Sequence, residues 1–104
     1  MSIFGLFGAH HEAKAAEVYG MQKVEPQHKA SLTHEVIAGA AAFEAARKYE
    51  QHCAANGKPD NHALAKELFA GFLGAELDKL VETKGLDWID KEKAQGHGMS
   101  FFNF

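Results

Sequence analysis

The chain has little that would tie it down covalently or hold it in a membrane. It contains one cysteine and two prolines. With Cys53 alone no intramolecular disulfide can form, which favours a reducing, intracellular setting. No stretch reaches the roughly 20 apolar residues that a membrane-spanning helix needs, so no transmembrane segment is expected. The apolar head, Ile3 to Phe7, has no basic residue ahead of it and is soon followed by His10-His11-Glu12, a poor match to a signal peptide. Ser2 stands where myristoylation needs glycine. A cytoplasmic protein is the default. Positive charge is also scarce: the formal net charge is −3, which argues against nucleic acid as a partner, since phosphate-binding surfaces carry a basic stripe.

β-Branched residues are few and period-two alternation is absent, so strands are not expected. Ala, Glu, Lys and Leu dominate instead, and they favour helix. At 104 residues the chain suits one domain. The spacing predicts an all-α fold, a small antiparallel bundle of three main helices plus a short C-terminal fourth helix. Residues 1–8 read as an apolar arm, 9–95 as the bundle and 96–104 as an aromatic tail.

The first helix is expected over about Ala9–Tyr19, closed by Gly20. The second runs from about Leu32 to Ala55, with Ser31 as N-cap and Asn56-Gly57 as a left-handed stop. The third starts near Asp60 or Asn61 and ends at Gly85. The fourth covers Trp88 to Gln95, capped by Asp87 and broken by Gly96-His97-Gly98. The third helix is apolar on most of its circumference (Leu64, Leu68, Phe69, Phe72, Leu73, Leu77, Leu80, Val81), which predicts a central position. Trp88 and Ile89 are expected to fold back as a lid on one end.

Two segments share a pattern at an offset of 67 − 35 = 32: Glu35-Val36-Ile37-Ala38-Gly39 and Glu67-Leu68-Phe69-Ala70-Gly71. The match continues from Glu44 to Glu76 and from Arg47 to Lys79. A glycine inside a helix costs about 1 kcal/mol relative to alanine, and close approach of two helices would offset it. The repeat therefore predicts contact of helices two and three near Gly39 and Gly71. Facing carboxylates at Glu35 and Glu67 suggest a di-metal bundle, but that chemistry pairs Glu with His three residues on. Here Ala38 and Ala70 stand at those positions, so solvent-facing carboxylates near helix starts are expected.

Seven histidines are many for this length. An up-down-up arrangement gathers His10, His11, His52, Cys53 and His62 at one end, with His28 and His34 toward the other. The candidate metal ligands are His10, His11, His52 and His62, for zinc or copper. No pair has the i, i+4 spacing of a helical metal site, and no Cys-x-x-Cys is present. Cys53 beside His52 lacks the orienting residue and oxyanion hole of a thiol catalyst, so it reads as structural and no catalytic residue is assigned. Phe101, Phe102 and Phe104, with the apolar head, form sticky ends of the kind that mark contact sites. They predict self-association, as a dimer, with latching onto the chain's own bundle as the alternative.

Several runs resemble the fungal CipC-like antibiotic response proteins: His10-His11-Glu12-Ala13, Leu32 through Ala45, Ala65 through Phe72, and Asp78-Lys79-Leu80-Val81-Glu82-Thr83-Lys84-Gly85-Leu86-Asp87-Trp88-Ile89-Asp90. The resemblance spans about residues 10 to 94, and its last run is the most specific. His10, His11, His34 and His62 match histidines of that pattern, whereas the aromatic tail from Met99 departs from polar, His- and Lys-rich family tails. It implies a cytosolic protein linked to antibiotic or other stress, with no established enzymatic activity. Three readings follow: a non-enzymatic stress-response protein working through self-association or a protein partner, a small metal-binding protein, or a carrier of an apolar ligand between helices two and three, lined by Phe43, Phe69 and Phe72.

Overall fold

The computed structural model describes residues 15–20 and 33–102. They form an all-α bundle: α1 (15–20), α2 (His34–Asn56), α3 (His62–Lys84) and α4 (Lys91–Met99). No strand occurs among the described residues. Lys48 reaches Glu76 and His52 faces Phe72, so positions rising along α2 meet positions falling along α3. The two helices are antiparallel, as their short link requires. The expected head, the first turns of α1 and Ser31 lie outside the described residues, as do His10, His11 and His28.

Helix ends follow local capping chemistry. The Thr33 hydroxyl accepts from the Val36 N–H at 3.2 Å, and Gly57, at φ 86°, closes α2 by donating its N–H to the Cys53 carbonyl. Asn61 caps α3 through the Leu64 N–H at 2.9 Å, and Gly85 ends it in the left-handed conformation at φ 70°. Asn61 and Gly85 stand where the sequence put them. The fourth helix does not. Its N-cap is Asp90, which accepts from the Lys93 N–H at 3.2 Å, while Asp87 and Trp88 lie in the preceding turn.

Nor do Gly96 and Gly98 break α4, which continues to Met99. Gly98 is buried against α3, and a Cβ there would stand 2.6 Å from Leu73 Cδ2 and 2.9 Å from Cδ1. This glycine serves contact between α3 and α4, not helix termination.

The central helix is α2 instead of α3. Residues Ile37 to Ala42 are buried without interruption, and Ala45 and Ala46 continue the surface. A helix buried all round at six successive positions needs neighbours on several sides, and its alanines let α1, α3 and α4 come near. α3 buries one stripe, Phe69, Leu73, Glu76, Leu77 and Leu80, and leaves Leu64 47% exposed. Gly39 is buried as expected, but Gly71 is exposed and a Cβ on it would meet nothing within 4 Å. The reason is register. Both helices have 23 residues and start 28 apart (62 − 34), so a 32-residue repeat falls one turn later in α3.

Phe102 is buried and stacks on Phe69 with ring centroids 5.2 Å apart. Tyr49 and His62 pack on the same ring at 6.0 and 5.4 Å. The part of the aromatic tail that is described thus docks on its own bundle. At the opposite end Ile89 is buried and Trp88 half-buried, as the expected lid.

Alanine substitution separates the two glycine roles. Gly98→Ala forces a buried Leu73 to move and is expected to cost about 1–3 kcal/mol. Gly71→Ala removes an exposed helical glycine and is expected to stabilise by up to about 1 kcal/mol. Urea unfolding of both variants checks this; equal effects would contradict the packing assigned to Gly98.

Candidate functional site

Among the described residues, Glu76 is the polar or charged residue that the core encloses, only 1% exposed. It sits in the apolar stripe of α3, with Leu73 one turn before it and Leu80 one turn after. A carboxylate so placed loses its water and must find partners in the protein. Tyr19 of α1 donates its hydroxyl to Glu76 Oε2 at 2.7 Å. Lys48 of α2 donates to Oε1 and forms an ion pair with it. One carboxylate therefore joins three helices, each oxygen satisfied by a different one.

Neighbouring charges extend the site. Arg47 pairs with Glu44 one turn away on α2, and Lys79 of α3 stands 6.0 Å from the centre of the Tyr19 ring. Burial pushes the Tyr19 phenol well above its ordinary value of 10.0. The hydrogen bond to Glu76 and the negative charges of Glu76 and Glu44 push the same way, and Arg47 opposes them. Tyr19 is thus held as a donor, and its O–H is occupied by a carboxylate. That arrangement holds helices together.

A second polar contact closes the opposite end. His34, first residue of α2, accepts the Asp90 N–H on Nε2 at 2.9 Å, and its ring meets Trp88 edge-on at 6.2 Å. The contact ties the start of α2 to the cap of α4.

Of the four predicted metal ligands, His52 and His62 are among the described residues. His52 packs against Phe72 at 5.9 Å and its backbone carbonyl accepts from Asn56, while His62 lies over Phe102. His10 and His11 lie outside the described residues. Among the described residues no three His, Cys, Asp or Glu side chains converge to hold a metal ion. Glu35 and Glu67 are both exposed, as expected of solvent-facing carboxylates. Of the expected carrier lining, Phe69 fills the core against Phe102, and Phe72 is half-buried, meeting His52 of α2 and lining the edge of an open groove.

The outer side of α3 carries an apolar concavity. Leu64, Glu67, Leu68, Gly71 and Phe72 line an open groove of about 530 Å³. Its floor is the backbone at Gly71, where no side chain intervenes. The repeat drew attention to Gly71 for packing inside the molecule, and its exposure turns that glycine toward an outside contact. Glu76 could have been found from the same repeat, since it pairs with Glu44 at the 32-residue offset and interrupts an apolar stripe.

These features define a class: a small all-α bundle pinned by a buried carboxylate, with an apolar groove on one helix. The family model described as Virulence factor CipC-like matches residues 10–101, nearly the whole chain, and the protein belongs to that family. No curated protein and no solved structure matches the chain.

The Tyr19 environment gives a pH prediction. A phenol whose folded pKa is raised contributes stability that is complete below pH 10 and is lost as pH rises beyond that value. In a Tyr49→Phe variant, phenolate absorbance is expected to appear only together with loss of helical circular dichroism in alkaline titration. Ionisation near pH 10 with the helices intact would contradict the buried hydrogen bond.

Proposed function

We propose that this CipC-like protein is a non-enzymatic stress-response factor of the cytoplasm that works by binding protein, either another copy of itself or a partner. The observation that carries this reading is the outward face of α3. Leu64 is 47% exposed and, with Leu68 and Phe72, flanks a glycine whose Cβ position meets nothing within 4 Å among the described residues. Apolar side chains grouped around a bare stretch of helix backbone form a surface suited to another protein. The family description, a virulence factor, fits a role exercised through such contacts.

The buried polar chemistry supports the non-enzymatic side of the proposal. Glu76, Tyr19 and Lys48 are the residues a general acid–base site would recruit, and they are engaged with one another across three helices. No helix among the described residues is long and apolar enough to cross a membrane.

Replacing the resident copy with a Leu64→Glu, Leu68→Glu variant tests the proposal in the cell of origin under antibiotic challenge. The variant is expected to fold and accumulate normally but to lose the protective effect. Full protection by a folded variant would overturn the role assigned to this face.

A further inference from the structure

The groove on α3 carries a charge pattern as well as an apolar floor. With about 100° per residue, the arc of α3 (His62–Lys84) centred on Gly71 contains Leu64, Glu67, Leu68, Ala75, Asp78 and Glu82. Lys79 stands at the edge of this arc, at the Tyr19 ring. Lys66 lies about 140° round the helix from Gly71. Asp78 is paired with Lys91 of α4 at 2.9 Å, whereas Glu67 and Glu82 form no ion pair among the described residues. The outer face of α3 is therefore an apolar groove within an acidic stripe.

This pattern opposes a second copy as the occupant. In a twofold antiparallel pairing of two α3 helices that cross at Gly71, Leu64 would face Asp78. In a parallel twofold pairing Glu67 would face Glu67. Both place acid against acid or acid against leucine, and like charges in juxtaposition penalise wrong partners strongly.

We propose that the groove receives a basic amphipathic helix of a partner protein. The proposal rests on the protein-binding reading of this face and names its occupant. The partner's apolar side chains lie against Leu64, Leu68 and Phe72, and its backbone comes close to α3 at Gly71, where no Cβ stands between them. Its Lys or Arg residues flank that seam and meet Glu67, with Glu82 farther along the same face. Apolar burial supplies the affinity, and the acidic stripe supplies orientation and partner choice.

Three labelled peptides of equal length test this with the full chain by fluorescence anisotropy. One is a Leu/Lys amphipathic helix, one its Leu/Glu counterpart, and one a scrambled Leu/Lys peptide without an apolar face. The amphipathic Leu/Lys helix is expected to bind at least about tenfold tighter than either control and severalfold more weakly at high salt. Leu64→Glu, shown folded by circular dichroism and an unchanged melting profile, is expected to weaken it about tenfold or more. Glu67→Lys is expected to shift preference toward the Leu/Glu peptide.

Equal binding of the scrambled peptide, or binding that Leu64→Glu leaves unchanged, would overturn the proposal. So would a dimer in light scattering that Leu64→Glu dissociates, because a second copy would then occupy the groove. Loss of protection in Leu64→Glu, Leu68→Glu cells without peptide binding would reject the basic helix while leaving the face itself as the working surface.

Discussion

A carboxylate taken out of water costs several kcal/mol unless the protein replaces its hydration, and this bundle is arranged around meeting that demand at Glu76. Tyr19 brings α1 to one oxygen and Lys48 brings α2 to the other. The bond is directional where apolar packing is not. It selects one register of three helices whose alanine-rich surfaces would tolerate sliding. Lys48 remains 40% exposed, so the pair is half-screened by solvent. Its value lies as much in position as in depth.

Alanine and glycine do the complementary work. The buried run of α2 supplies little side-chain volume, so the helices approach closely and large residues are drawn from α3 and the C-terminal turn. Phe69 and Phe102 stack at one end, and Leu73 lies against Gly98 in the middle. His34, Trp88 and Asp90 close the other end. With α3's inner stripe used in this way, its outer stripe has no internal partner among the described residues. The exposed groove at Gly71 follows from the way the core is filled.

Much of this was legible in the residues. Helix content, antiparallel order, the Asn61 and Gly85 boundaries and the lid at Ile89 all follow from capping chemistry and apolar spacing. The CipC-like resemblance carried the family. Other features depended on tertiary context. Gly96 and Gly98 read as breakers because propensity knows nothing of Leu73, and α3 looked central because its apolar count does not reveal which side is covered. The offset repeat pointed to Gly71, yet only the register of the helix ends shows that glycine facing outward. Of the candidate histidines, His52 and His62 stand beside Phe72 and Phe102, contacts that depend on where those rings land. Glu76 was visible as an acid in an apolar stripe, but its partners Tyr19 and Lys48 come from two other helices, at separations of 57 and 28 residues.

The central claim is that the Glu76 carboxylate couples α2 to α3 and sets the register that turns Gly71 away from the other described helices. A double-mutant cycle with Lys48→Ala and Glu76→Ala, read by equilibrium urea unfolding, tests it most directly. The account predicts non-additive losses, with a coupling of about 1 kcal/mol or more, because either single substitution leaves its partner uncompensated. Additivity within about 0.5 kcal/mol would contradict it, since the two groups would then contribute independently and the ion pair would not hold the bundle in register.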